Sequence, residues 1–295
     1  MKIKDSFSDK VFLISVYVFL WFCLIIVLYP LIYIVSASFS SPRDVVSGKV
    51  WLWPINITLM GYEAVFKHGQ IVSGFYNSFL YTFVGTCVNL VLTVMAAFPL
   101  SRKELYGRNI IMGIFVFTLL FSGGLIPTYI LVNKLGLINT RWAMILPTAM
   151  SVWNVLITKT YYQTNLPDEM YEAAVLDGCD DIRYLLQIVV PLSGPILAVM
   201  ALYYGVGHWN SYFNAMIFLK SSGLYPLQLV LRNILILNNL DMNMIKDADV
   251  LLRLQGLKDL LKYSVIVVSS VPMLCIYPFV QKYFVKGVML GALKG

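Results

Sequence analysis

The sequence predicts an all-α, polytopic membrane protein with six spanning helices. Of its 295 residues, 59% are hydrophobic and only 13% are charged, and the mean hydropathy is +0.76. Soluble domains carry about 25% charged residues. The apolar residues also fall into six long runs, and a spanning helix needs about 20 such residues. We therefore expect one helical bundle, a single transmembrane domain over residues 1–295.

The six runs set the expected positions of the spans. In the first run there is no charged residue, and a cleaved signal peptide is its alternative because small residues follow at Ser36, Ala37 and Ser38. At about 25 residues, however, the run exceeds the 7–15 of a signal core, which favours a spanning helix. The runs cover residues 11–35, 75–100, 110–132, 142–158, 196–219 and 263–280.

Basic residues near the membrane indicate orientation, because they concentrate on the cytoplasmic side. Six spans place both termini on one side, and the 22 Lys and Arg then divide equally between the two sides. Three lysines near the N-terminus and a compact basic turn with Arg102, Lys103 and Arg108 favour cytoplasmic termini.

Catalytic and metal-binding motifs are missing from the sequence. It contains two histidines, four widely separated cysteines, and no HExxH, GxSxG or phosphate-binding GxxxxGK[ST] motif. The net charge of +7 comes without a basic, aromatic-interleaved run of the kind that binds nucleic acid. We expect a non-catalytic chain with no metal site and no cofactor of its own.

An acidic segment, residues 166–191, interrupts this apolar chain. Pro167 suits the first turn of a helix, and acidic residues favour the positive N-terminal end of that helix. Gly178 is suited to a left-handed helix end, and Asp180 and Asp181 are suited to begin a second helix over residues 182–190. These signals predict two short helices joined by a glycine turn. The spacing alone leaves two interpretations open, a solvated linker or a docking site for another protein.

The same segment resembles a known signature. Glu172, Ala173 and Ala174 are followed after three residues by Gly178, and the pattern ends with Ile188-Val-Val-Pro191. This is similar to the EAA motif of ABC-importer permeases and departs from it only in having valine before the final proline. The resemblance implies that the segment is the cytoplasmic coupling element, which docks on an ATPase, and that Glu172, Ala173, Ala174, Asp177, Gly178 and Pro191 carry the coupling.

Four further stretches, residues 121–129, 135–140, 209–213 and 225–230, resemble carbohydrate-importer permeases of the MalG-like branch that includes the LplC and YtcP proteins. The resemblance implies a type I importer (MetI-like) fold in a bacterial plasma membrane. It also implies a second homologous permease, an ABC ATPase dimer that binds ATP and Mg, and an oligosaccharide substrate. The substrate would come from an extracellular carbohydrate-binding lipoprotein or a periplasmic binding protein. The alternatives are an ABC permease for a non-sugar solute and a self-contained transporter or channel.

Two other groups of residues are candidates for the transport path. Polar groups at membrane depth usually face the protein interior, and aromatic rings and amides can contact sugars, although helix packing and headgroup anchoring are alternative roles. The path candidates are His208, Trp209, Asn210, Tyr212 and Asn214. Gly123, Gly124 and Pro127 interrupt the third run, which predicts a kink there and leaves a gate as a second interpretation.

Overall fold

A computed structural model of the protein describes residues 6–237 and 248–292. These residues form helices and turns without a strand, which confirms the all-α prediction for the part described. In chain order the helices are α1 (Phe7–Ser38), α2 (Pro42–Val46), α3 (Met60–Lys67), α4 (Gly69–Ser101), α5 (Arg108–Leu120), α6 (Leu125–Lys134), α7 (Val152–Asn165), α8 (Asp168–Leu176), α9 (Asp181–Tyr184), α10 (Val190–Leu192), α11 (Gly194–Trp209), α12 (Tyr212–Phe218), α13 (Leu227–Leu237) and α14 (Ala248–Ala292).

Six spans are not confirmed by the described residues. Three helices are long and apolar enough to cross a membrane: α1, α4 and the Gly256–Pro278 part of α14. Two bent pairs raise the number to five if each is one span. One pair is α5 with α6, at 113°, and the other joins Asp181–Leu192 to α11 at 80°.

The predicted span over residues 142–158 is not one helix. Two 3₁₀ turns, Arg141–Met144 and Leu146–Thr148, occupy its first half, and α7 begins only at Val152. Pro147 stands at the start of the second turn, where its missing N–H and fixed φ suit a helix beginning and not a helix interior. Hydropathy measures how apolar a stretch is, and it does not detect such a break.

Two compact units contain the described residues. The first comprises residues up to 69 together with 233–270, and the second comprises 70–232 together with residues from 271 onward. In the first unit, α1 is exposed along most of its length, and burial begins only at Ser36. Its small core contains Ala37, Val45 and Val50, with Tyr33 and Tyr263 packed against them.

The second unit is built around α4. One face of α4 repeats polar or small residues every fourth position, at Asn77, Tyr81, Gly85, Asn89 and Thr93, and all of these are buried. Residues four apart lie on the same face of a helix. The face therefore runs as one continuous row along the inner side of α4.

This polar row satisfies backbone groups that helices leave unpaired. The amide of Asn77 donates to the carbonyl of Gly223 at 2.8 Å, and the Tyr81 hydroxyl donates to the carbonyl of Leu224 at 2.8 Å. Further along, Asn89 Nδ2 donates to the carbonyl of Thr148 at 2.6 Å. Non-helical backbone at membrane depth requires such partners, so α4 is the element that permits the breaks before α7 and α13.

Candidate functional site

The acidic segment begins with α8, which has Pro167 immediately before it and two acidic residues in its first turn. A π-helical turn, Leu185–Val189, joins α9 to α10. The Asp180 carboxylate caps α9 by accepting from the backbone N–H of Arg183 at 2.6 Å, a bond that satisfies one of the free donors of a helix beginning. The polypeptide therefore has two short helical stretches separated by a turn.

Gly178 makes the turn between them. Its φ of +79° lies in the left-handed region, which glycine adopts without the steric cost that a side chain brings. The Gly178 N–H donates to the carbonyl of Val175 and the Cys179 N–H donates to the carbonyl of Ala174, both at 2.9 Å. A Cβ at position 178 would meet no atom within 4 Å, so the requirement for glycine comes from backbone conformation.

The α8 helix has one buried face and one free face. Ala174 is 8% exposed and belongs to the same buried cluster as Tyr184. On the other face, Glu172 and Ala173 are exposed, and Leu176 is 88% exposed. A leucine this open, beside a small residue and a carboxylate, forms a surface on which another helix or groove can pack closely. The remaining coupling candidates, Asp177, Gly178 and Pro191, are exposed as well.

Ion pairs join the start of α8 to the basic turn after α4. Lys103 Nζ donates to Asp168 Oδ2 at 2.8 Å, and the Arg102 guanidinium lies 3.9 Å from the other carboxylate oxygen. The hydrogen bond from Lys103, and then its charge, hold the pKa of Asp168 below its ordinary value. The same hydrogen bond raises the pKa of Lys103, so both groups are stabilised in their charged forms.

Among the path candidates, His208 is buried in a hydrogen-bonded cluster. Its Nε2 lies 2.6 Å from Asn89 Oδ1, and the amide of Asn89 reaches the Thr148 carbonyl. The imidazole ring packs directly on Gly85, where an added Cβ would lie only 2.5 Å from Nε2. His208 therefore joins α11 to α4 by close packing and by a hydrogen bond.

The other path candidates differ in exposure. Trp209 is 3% exposed, and its ring centroid lies 5.3 Å from that of Phe79 in an edge-on contact. Asn210 is exposed and its amide donates to the carbonyl of Val206 at 3.0 Å, while Tyr212 is 44% exposed. Asn214 is half-buried in α12. The two buried candidates lie at the end of α11, and the more exposed ones lie at or after the break between α11 and α12.

Gly123, Gly124 and Pro127 lie at the bend between α5 and α6. Gly124 has φ +83°, and its N–H donates to the Ser122 hydroxyl at 3.2 Å. All three candidates are exposed, and the helices on either side differ in direction by 113°. The break leaves the non-helical backbone of residues 121–124 exposed beside the apolar helix α5. A gating role for it stays a prediction.

Two features escaped the sequence reasoning. The row of polar and small residues on α4 was detectable as a four-residue repeat inside an apolar run, but its partners lie far away in the chain. In sequence, Arg102 is indistinguishable from a charge that flanks the membrane, but its side chain is only 11% exposed. In the described part of the chain, no three His, Cys, Asp or Glu residues come together as metal ligands.

A family model described as "Binding-protein-dependent transport system inner membrane component" matches residues 71–290 of this chain. Two Bacillus subtilis (strain 168) proteins are each 38% identical to it. Protein LplC aligns over 92% of this chain and 90% of its own length. The polygalacturonan/rhamnogalacturonan transport system permease protein YtcP aligns over 98% of this chain and all of its own length.

One solved structure has a closely similar fold. It is a chain from the crystal structure of a bacterial ABC transporter involved in the import of the acidic polysaccharide alginate, with 31% sequence identity and a TM-score of 0.87. The similarity covers 96% of this chain and the whole of that chain.

Proposed function

The chain belongs to the family of inner-membrane components of binding-protein-dependent transport systems, and we propose that it is a permease subunit of an ATP-driven importer for oligosaccharides or complex carbohydrates. The observation that carries the ATP-driven part is the free face of α8 around Glu172 and Ala173, which has the EAA spacing. The carbohydrate part is supported by a relative named for polygalacturonan/rhamnogalacturonan transport and by a similar structure from a transporter involved in alginate import. No comparable observation favours a non-sugar solute or a chain that transports alone.

The acidic segment is the coupling element in this proposal. Glu172 accepts a hydrogen bond from a cationic group of the ATPase, and Ala173 allows the ATPase surface to approach closely. Ala174 and Gly178 keep the short helices in place, while Asp177 and Pro191 delimit the moving part. ATP and Mg bind on the ATPase dimer, whose closure pushes the segment as a rigid body. This chain performs no catalysis and holds no cofactor.

The substrate path runs past the break between α11 and α12. Asn210, Tyr212 and Asn214 provide amide and aromatic contacts for a sugar, and their partial exposure supports this role. His208 and Trp209 hold the helix from its buried side. The bend at Gly123, Gly124 and Pro127 lets α5 and α6 move relative to each other as a gate.

The expected assembly has this chain beside a second homologous permease in the bacterial plasma membrane. Both termini, the ATPase dimer and the acidic segment lie on the cytoplasmic side, and an extracellular carbohydrate-binding protein delivers the oligosaccharide from the other side. The exposed apolar surface of α1 supports contact with lipid or with the second permease, because most of that helix packs against nothing within its own unit.

Purification and reconstitution test the proposal. The chain should co-purify with an ATPase and a second permease, and the complex in liposomes should import oligosaccharides only with ATP inside and a binding protein outside. A panel of galacturonan, rhamnogalacturonan, alginate and arabinan oligomers identifies the cargo. Transport by this chain alone would contradict the proposal, and a complex that responds to amino acids or peptides but to no sugar would overturn the substrate class.

A further inference from the structure

Arg102 is the first residue after α4, and its cationic group is surrounded by aromatic rings. The guanidinium carbon lies 4.5 Å from the ring centroid of Tyr171, 5.0 Å from that of Tyr184 and 5.2 Å from that of Phe98. Its Nε is buried and has no hydrogen-bond acceptor within the described residues. The ring faces and the carboxylate of Asp168 are therefore the main groups that stabilise this charge.

The rings come from three different elements. Phe98 lies in the last turn of α4, Tyr171 in α8 and Tyr184 at the end of α9. Tyr171 and Tyr184 also contact each other edge to face, with centroids 5.1 Å apart. A desolvated cation near ring faces is attracted more strongly than one in water. Arg102 thus joins both halves of the acidic segment to one end of α4.

The two halves are themselves joined across the Gly178 turn. The Tyr171 hydroxyl donates to Asp181 Oδ1 at 2.7 Å, and this bond to the carboxylate raises the pKa of the Tyr171 hydroxyl. With the ring contact to Tyr184, the bond makes α8 and α9 a single body that contains the aromatic part of the Arg102 site.

The covalent connection from this body into the bundle is less direct. It passes through the π-helical turn Leu185–Val189 and then through an 80° change of direction before α11. A connection that turns by 80° is not a straight, rigid rod along which α8 and α9 could push α11. By contrast, α4 is one continuous helix that ends next to Arg102, with Pro99 in its last turn, and it carries Asn89 and Thr93, which contact His208 and Tyr204.

We propose that Arg102 is the positioning residue that transmits movement of the acidic segment to α4. The inference rests on the proposed coupling function and specifies its route. Closure of the ATPases moves α8 and α9 together, the guanidinium held between their rings moves with them, and α4 shifts its polar row against α11. The shift changes the packing at His208, next to the path candidates at the break between α11 and α12.

The test compares four variants in the reconstituted complex with its ATPases, second permease and binding protein. Arg102→Gln removes the cation, and Arg102→Lys keeps the charge but loses the planar group that stacks on rings. Lys103→Gln is the matched control, since it is adjacent, exposed and paired with the same carboxylate. Tyr184→Phe keeps its ring and loses a hydroxyl that has no hydrogen-bond partner among the described residues.

The readout is oligosaccharide transported per ATP hydrolysed, using the oligomer that the wild-type complex imports from the panel above. We expect Arg102→Gln to lower this ratio by about tenfold, the order expected for losing a desolvated guanidinium–ring contact, while ATP hydrolysis stays within about twofold of the wild type. The transport ratio of Arg102→Lys should lie between those of Arg102→Gln and the wild type. Both Lys103→Gln and Tyr184→Phe should retain the wild-type ratio.

Two results would overturn this route. One is an unchanged ratio in Arg102→Gln, and the other is loss of ATPase co-purification in that variant, which would make Arg102 a docking or folding residue. Failure of the wild-type complex to couple ATP hydrolysis to oligosaccharide import would instead refute the proposed function, so the two failures are distinguishable.

Discussion

Substitution of Gly85 by alanine should disrupt the contact between α4 and α11. The new methyl group would lie 2.5 Å from His208 Nε2 and 2.6 Å from Cε1, well inside van der Waals contact. His208 is only 5% exposed, and its ring is held by the 2.6 Å bond to Asn89. The ring can therefore move aside only by lengthening that bond or by separating the two helices.

The magnitude follows from these two costs. Overpacking of a dense interior destabilises by about 1–3 kcal/mol, and a buried polar group left without its partner costs about 1–3 kcal/mol. Because the ring can relax partly, we expect a loss of about 2 kcal/mol, which corresponds to a lowering of Tm by roughly 4–8 °C in a domain of this size.

Thermal unfolding of the detergent-solubilised protein, followed by size-exclusion chromatography of heated samples, measures this effect. Gly113→Ala is the control, since Gly113 lies in helix α5 and an added Cβ there meets nothing within 4 Å. The higher helix propensity of alanine alone should stabilise the Gly113→Ala variant by about 1 kcal/mol. In a His208→Ala background the cost of Gly85→Ala should shrink, because the ring is gone. Equal Tm values for Gly85→Ala and Gly113→Ala would contradict the predicted steric conflict between residue 85 and His208.

Three further predictions concern the acidic segment and the path. Glu172→Lys and Gly178→Asp should abolish transport and substrate-stimulated ATP hydrolysis while the protein stays in the membrane, and undiminished stimulation would contradict the coupling role. The hydrogen bond and charge of Lys103 lower the pKa of Asp168 from 3.8. The Asp168 carboxylate therefore contributes its full stabilisation above pH 3.8, and this contribution is lost as the pH falls through the lowered pKa. At low salt, the Tm of Asp168→Asn should therefore be lower than that of the wild type at pH 7, and this difference in Tm should shrink only below about pH 3.8. Asn210→Ala and Tyr212→Ala should keep the wild-type Tm, because both side chains are exposed, and should lower the transport rate. Unchanged transport would contradict their place in the substrate path.

Local signals in the sequence predicted the acidic segment well. Pro167 marks the start of α8, Gly178 has the left-handed conformation, and Asp180 caps α9. Each of these depends on a residue's own backbone preference or on a neighbour a few positions away. The apolar composition predicted a membrane protein for an equally direct reason, since a bilayer excludes charged side chains wherever they lie in the chain.

Hydropathy also predicts six spans with an interruption only in the third, and the described residues do not confirm six but show two further breaks. The run over residues 142–158 is broken near Pro147, and the run over 196–219 is broken after Trp209. An apolar segment can afford such breaks only when side chains elsewhere satisfy its exposed backbone groups. Asn89, which is distant in sequence, does this for the Thr148 carbonyl.

By itself, the sequence determined the membrane class, the two short helices of the acidic segment and their EAA spacing, because these depend on composition and on neighbours in the chain. Only the tertiary structure decided that Arg102 lies among Phe98, Tyr171 and Tyr184 and that His208 packs on Gly85. A charge near a membrane end looks the same in sequence whether it faces lipid headgroups or three rings. Pairings between distant residues arise when the helices pack, and no local preference of the chain encodes them.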